Sequence, residues 1–431
     1  MKTFLKKVEE FQPDLIAVSC TEDMYLLGLS FLRYLRKHHN ILTIMGGVFA
    51  TFAPHIAISA DEVDIVCVGE GEYALVELCE RLERGQDYVN ISNLWVKDGK
   101  KGITRNPISV PVNMEDNPLL DISIFESNRL YRPMQGKVYR MLPVETHRGC
   151  PYTCAFCNSP SQNRLYAAST NENFFRKKKF DYVRKELAYY RDVVKAEFLY
   201  FWADTFFAYS PREFDEFIEL YSEFKIPFWC QTRPETINEY KIKRLKDVGL
   251  FKLGVGIEHG NPKFRKATVN RAVTNETIVN SLKWPKKEGV LFGVNNIVGF
   301  PGETKKLAID TVRINRLVSA DTVNCYSFTP FHGIPLRKIA EEKGYIEPGK
   351  ITRSLTRGAI LDMPKFTRDE IRGFVRTFVM KVKFPESRWK EIEIAEKFSD
   401  EGNRKFDELS EELQELLLTQ SGGVPQAEDP H

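Results

Sequence analysis

The sequence predicts an α/β protein in two sheet-bearing parts. An open α/β unit spans residues 1–105, a linker spans 106–139, a partial (β/α)6 TIM-like barrel spans 140–340, and a mainly helical extension spans 341–420. Three observations carry this reading. β-rich apolar runs near the N-terminus are separated by a helix-period segment. From Met141 onward, strands and helices alternate roughly every 30 to 40 residues, as repeated βα units do. After Pro364 the pattern turns helical and highly charged.

In the first unit, strands are expected at Leu15 to Ser19, Ile41 to Met45 and Val63 to Val68, with helices at Tyr25 to Arg36 and Tyr73 to Arg84. From Asn90 to Leu142 the pattern breaks into short strands and Pro/Gly/Asn-rich connections, and Asp121 and Pro133 fall in the linker. The barrel strands are expected at Leu142 to Thr146, Glu197 to Trp202, Pro227 to Thr232, Phe251 to Ile257, Val290 to Val298 and Thr322 to Phe328.

The helices between them carry their own signals. Phe180, Val183, Leu187, Tyr190 and Val194 form one apolar stripe. Ser210, Pro211 and Glu213 supply an N-cap, a proline at the first helical position and a capping-box partner. Gly249 closes the following helix. Ser421 to His431 has little apolar content and is expected to lack order.

Composition narrows the function. The net charge of +3 comes from 62 basic and 59 acidic residues mixed along the chain, so no nucleic-acid footprint appears. The densest basic run, Arg176 to Lys179, reads as a solvated helix start. No signal-peptide pattern is present, and the apolar stretch Ile41 to Ala53 is too short to span a bilayer. The expected location is the cytoplasm. The 8 cysteines make no disulfide framework, and three crowd into one short segment, which points to a metal in a reducing compartment.

That segment, His147-Arg-Gly-Cys150-Pro-Tyr-Thr-Cys154-Ala-Phe-Cys157, follows the first barrel strand and sits at its C-terminal end, where barrels keep their chemistry. Three thiolates on one loop can hold three corners of an iron–sulfur cubane and leave the fourth iron open. The alternative is a zinc site of the three cysteines and His147 in a non-enzymatic binding module.

The CxxxCxxC spacing, with Phe156 before the last cysteine, resembles the signature of the radical S-adenosylmethionine (SAM) superfamily. The resemblance implies a 4Fe-4S cluster on Cys150, Cys154 and Cys157. It implies reductive cleavage of SAM to a 5′-deoxyadenosyl radical, and a one-electron donor such as flavodoxin or ferredoxin. It also places Phe156, Asp204, Arg233, Glu258 and Ile297 to Gly299 around SAM. Arg233 corresponds to a cation that reaches the SAM carboxylate, Glu258 to an acid on the ribose hydroxyls, and Ile297 to Thr304 to the loop beside the adenine. Relatives carry an acidic pair at the end of the second strand, and here Ala203 replaces the first acid. Thr329 to Leu336 also looks like this family, with His332 read as a surface loop residue of no assigned role.

In the first unit, Pro13 to Ser19, Gly46-Gly47 and Asp64 to Glu72 resemble the cobalamin-binding domain, Rossmann-like in fold, that precedes many such enzymes. The resemblance implies that Ser19, Gly46 and Gly47 line the slot for the nucleotide tail. It also implies an incomplete domain that lacks its first strand and leaves a sheet edge to be covered. Cys20, Cys67 and Cys79 read as small buried residues rather than a second cluster. The function expected is a cobalamin-dependent methyltransferase, or an enzyme that rearranges or cyclises a biosynthetic intermediate, acting on a small molecule or peptide. A radical SAM enzyme that has lost cobalamin binding is the alternative within the family.

Overall fold

The computed structural model describes residues 1–99, 102–352 and 358–420. The tail expected to lack order lies outside the described residues. Strands follow one another as β1 (Leu15–Ser19), β2 (Leu42–Gly46), β3 (Ile65–Cys67), β4 (Leu94–Asp98), β5 (Gly102–Arg105), β6 (Tyr131–Met134), β7 (Lys137–Val144), β8 (His147–Arg148), β9 (Arg176–Lys177), β10 (Phe198–Phe201), β11 (Phe228–Thr232), β12 (Leu250–Glu258), β13 (Leu291–Val298) and β14 (Thr322–Ser327).

The first sheet has the order β1-β2-β3-β4-β5. Strands β1 to β3 are parallel, with Ser19 opposite Gly46, whereas β4 and β5 run antiparallel. The helix Glu22–Arg36 crosses from β1 to β2. Its Leu29, Leu32 and Leu35 are buried, and acids in its first turn and arginines in its last suit the helix dipole.

The second sheet is a seven-stranded half-barrel of order β14-β13-β12-β11-β10-β7-β6. All six parallel strands expected from the sequence are present. The seventh corrects the linker: Pro133 lies on β6, which pairs antiparallel with β7 as an edge hairpin. An edge is where a strand tolerates proline, because no ladder N–H is needed there.

The convex face of this sheet carries the main core. Leu199, Phe201, Phe228, Cys230, Leu253, Val255, Phe292 and Val294 are buried beneath the surrounding helices. Phe201 packs edge-on against Phe217, Tyr221 and Phe228. The helix Pro211–Tyr221 has the expected capping box. The stripe on Phe180–Tyr189 is buried at Val183 and Leu187, and continues through one π-helical turn at Tyr190–Val194. The helix Arg368–Lys383, in the C-terminal extension, closes a second core with Ile371, Phe374 and Phe378.

The basic run is a solvated helix start only at Lys179, which caps the helix Phe180–Tyr189 with its side chain 80% exposed. Arg176 and Lys177 form β9, paired with His147 and Arg148. Its cations are matched one by one: Arg176 with Glu70, Lys177 with Glu213, Lys178 with Glu186 and Lys179 with Glu115.

His332 is not a surface residue. Its backbone N–H donates to Glu22 Oε2 at 2.6 Å and its Nδ1 lies 2.8 Å from the same oxygen. Thr352 N donates to Glu22 Oε1 at 2.8 Å. Burial alone would raise the Glu22 carboxyl, but the hydrogen bonds from His332 and Thr352 prevail and hold it below its usual range. Phe52 lies against Gly333, where a Cβ would come within 2.3 Å of the ring. The 329–336 segment therefore ties the first sheet to the half-barrel.

Candidate functional site

The three cysteines fold onto the C-terminal mouth of the half-barrel. Ala155 N donates to Val269 O at 3.0 Å, Leu336 N donates to Ala155 O at 3.1 Å, and Asn270 Nδ2 donates to Thr153 O at 2.7 Å. Phe156 packs 6.1 Å from Phe300. The loop is thus fixed from two sides before any ligand arrives. Cys150 and Cys154 are each 8% exposed.

Donors converge on the sulfurs. Arg233 Nη1 donates to Cys154 Sγ at 2.9 Å, Ser159 N donates to Cys157 Sγ at 3.4 Å, and Thr205 Oγ1 lies 3.4 Å from Cys150 Sγ. Burial raises the Cys150 thiol and pushes the Cys157 thiol up to about 12. Iron would supply the positive charge that makes their thiolates the favoured form. Buried sulfurs ringed by N–H and O–H donors fit a cluster.

The zinc alternative does not fit. The His147 ring is enclosed by Phe175, Phe206 and Tyr209 and pairs with Thr146 at 2.9 Å. Among the described residues no three His, Cys, Asp or Glu side chains can hold one metal ion. A cubane asks less, since it takes each thiolate on a different iron.

Around this loop stand the other residues singled out from the sequence. Asp204, exposed at the end of β10, accepts from Ser159 Oγ at 2.7 Å. Arg233 follows β11, stacked 3.8 Å over Tyr152 and bonded to Glu235. Glu258 ends β12 with φ 67°, beyond a bulge between Gly256 and Glu258. This left-handed conformation is uncommon outside glycine and typical of functional sites. It folds the carboxyl back over Gly256, where a Cβ would meet Glu258 Oε1 at 2.1 Å. Burial raises that carboxyl although Arg271 and Arg233 oppose it.

Ile297 and Gly299 end β13, and Gly299 turns at φ 83°. Sequence reasoning missed what holds this turn. Glu303 Oε2 accepts from Gly299 N at 2.6 Å and Phe300 N at 3.0 Å, while Glu303 Oε1 meets His259 Nε2 at 3.1 Å. An acid four residues after a strand-end glycine was the available signal.

Facing the cysteine loop, the ends of β1 to β3 bound a cavity of about 550 Å³. Ser19, Gly46, Gly47, Glu70 and Glu72 line it on one side, and Arg148, Gly149, Trp202 and Asp204 on the other. Gly47 turns at φ 94°, and a Cβ there would lie 2.6 Å from the Cys20 carbonyl. Glycine is therefore required there by the close approach of the Cys20 backbone. Arg148 bridges the two walls, donating to Glu70 Oε1 and Glu72 Oε1 at 2.6 Å each and to Glu145 Oε2 at 2.9 Å. Cys20 and Cys67 are buried, and burial pushes their thiols up to about 11 and about 12. Cys79, expected to be buried, is exposed.

Comparison with known proteins agrees with this geometry. The radical SAM superfamily matches residues 144–313 and the B12 binding domain matches residues 1–79. The chain carries a radical SAM domain and a B12 binding domain and fits the radical SAM subgroup that has both, and its relatives support an enzyme of that class.

An uncharacterised methyltransferase of Pyrococcus horikoshii is 24% identical over 86% of this chain and 79% of its own length. The anaerobic magnesium-protoporphyrin IX monomethyl ester cyclase of Rubrivivax gelatinosus is 23% identical over 83% of this chain and 65% of its own. Among solved structures, the cobalamin-dependent S-adenosylmethionine radical enzyme OxsB, with aqua-cobalamin and S-adenosylmethionine bound, superposes with a TM-score of 0.66. It is 16% identical, and the match covers 96% of this chain and 65% of that one. The family implies a 4Fe-4S cluster and SAM, and the B12 binding domain supports cobalamin. Among the described residues no helix is long and apolar enough to cross a membrane.

Proposed function

We propose that this chain is a cobalamin-dependent radical SAM methyltransferase acting on an unactivated carbon. The observation that carries the reading is the shared cavity: the strand ends of the first sheet face His147, Arg148 and Gly149, the residues that lead into the cysteine loop, together with Asp204, across one space. When bound, the cluster supplies an electron to the SAM sulfonium and cobalamin supplies a carrier for a methyl group.

The chain's residues do the rest. Cys150, Cys154 and Cys157 hold the cluster. The Arg233 fork, at the mouth beside Cys154, suits the SAM carboxylate. Glu258 accepts from the ribose hydroxyls, and Phe156, Ile297 and Gly299 enclose the adenine. Asp204 holds Ser159, at the start of the helix that follows Cys157, toward the cavity. Ser19, Gly46 and Gly47 admit the cobalamin tail. Residues 1–105 form the cobalamin-binding part, 106–130 the linker, 131–340 the catalytic barrel with its edge hairpin and 341–420 its helical cover. The electron donor is a small one-electron carrier such as flavodoxin or ferredoxin, and the site of action is the cytoplasm.

A second reading, ring formation or rearrangement of a biosynthetic intermediate, is supported by the likeness to the cyclase. Anaerobic protein reconstituted with iron, sulfide and cobalamin, then reduced with SAM, separates the readings. Methyl transfer yields S-adenosylhomocysteine beside 5′-deoxyadenosine, whereas rearrangement yields 5′-deoxyadenosine without it. Failure to bind one equivalent of cobalamin in a spectral titration would refute both cobalamin readings and leave a radical SAM enzyme without it.

A further inference from the structure

The helix Ser159–Thr170 begins just beyond Cys157 and touches both walls of the candidate site. At its start, Ser159 N donates to Cys157 Sγ at 3.4 Å. One turn on, Asn163 Nδ2 donates to the Cys150 carbonyl at 2.9 Å. Two of the three cluster cysteines are therefore held by this one helix.

The same face of the helix also reaches the first sheet, because Asn163 and Tyr166 are three residues apart. Tyr166 is 1% exposed, stacks on Phe174 at 4.9 Å and lines the 550 Å³ cavity. Its Oη accepts from Glu70 N at 2.8 Å, and a Cβ on Gly69 would lie 2.6 Å from that oxygen. The turn that follows β3 is thereby seated on the helix.

A second link runs from the start of the helix to the loops after β1 and β2. Asn158 Nδ2 donates to His332 O at 2.8 Å, and Ser161 Oγ donates to Gly333 O at 2.5 Å. His332 is bonded to Glu22, which opens the helix beyond Ser19, and Gly333 packs on Phe52, which ends the helix beyond Gly47. The loops after β1, β2 and β3, which bound the cavity, all rest on residues 158–166, directly or through 332–333.

We propose that this helix couples the two cofactor sites: filling the cavity with a corrinoid and assembling the cluster each strengthen the other, and Tyr166 is the positioning residue between them. Whichever group binds first fixes the helix, and the second finds that ordering already done. The proposal rests on the function argued above, because it takes the cavity as the corrinoid site and the three cysteines as the cluster site.

The test is equilibrium dialysis of methylcobalamin, in the dark and without oxygen, against the full chain with its cluster reconstituted and with its iron stripped by a chelator. The cluster-loaded protein is expected to bind at least about five-fold tighter than the stripped one. Tyr166→Phe keeps the ring and loses the oxygen that accepts from Glu70, so the ratio should fall below about two-fold. A second measurement needs no variant: hydrogen exchange across residues 159–170 of the stripped wild type should slow when methylcobalamin is added. Equal affinity in the two states, a ratio undiminished in Tyr166→Phe, or unchanged exchange overturns the coupling. Equal and measurable affinity overturns the coupling alone, whereas binding to neither state overturns the cobalamin reading with it.

Discussion

Phe201 and Trp202 are neighbours in the chain and opposites in the fold. Phe201 is 1% exposed among Phe217, Tyr221 and Phe228 on the convex face of the half-barrel, while Trp202 is 65% exposed over the cavity. The same division runs across the whole sheet: apolar side chains fill the convex face, and aromatic rings, amides and glycines line the concave one. Stability and chemistry are thereby assigned to alternate residues of the same strands, so either can change without the other.

The largest effect that would test this division is on the convex face. Phe201→Ala should lower stability by about 3 to 5 kcal/mol, read as a shifted urea midpoint, because it opens a cavity among aromatic rings. A change below about 1 kcal/mol would show that this face is not the store of stability.

Next comes the bridge between the two sheets. Arg148→Leu leaves Glu70, Glu72 and Glu145 facing one another with one cation fewer. It should cost about 2 to 3 kcal/mol and reduce the cobalamin retained on gel filtration. Undiminished cobalamin retention would separate the bridge from the cavity.

A third effect depends on pH. Burial, aided by nearby Lys177 against Glu213, pushes the His147 imidazole down to about 3. The unfolded chain takes up a proton near pH 6.5 and the folded one does not, so the contribution of His147 is complete above pH 6.5 and declines as pH falls toward 3. The expected slope is up to about 1.4 kcal/mol per pH unit. His147→Phe should flatten the difference between pH 7 and pH 5, and an unchanged slope would assign the titration elsewhere. The smallest effect is Trp202→Leu, which should move stability by no more than about 0.5 kcal/mol. A loss like that of Phe201→Ala would merge the two faces.

Much of this was legible where chemistry is local in the chain. Three cysteines within eight positions, a capping box at Ser210 and strand ends marked by Asp204, Arg233 and Glu258 all declare themselves within a few residues. What stayed hidden depends on contacts far apart in sequence. Glu22 meets His332 across 310 positions, so neither residue reads as a clamp alone. Arg176, Lys177 and Lys178 look solvated until Glu70, Glu213 and Glu186 arrive from other elements. The hairpin at Pro133 was read as a linker because proline argues against a strand except at an edge, and edges are a property of the assembled sheet.

The central claim is that the sulfurs of Cys150, Cys154 and Cys157 serve one cluster that reduces SAM. Anaerobically reconstituted protein, reduced with dithionite in the presence of SAM, should release 5′-deoxyadenosine, and a Cys154→Ala variant of equal fold should release none. Equal release from both proteins, or none from the reconstituted wild type, would contradict it.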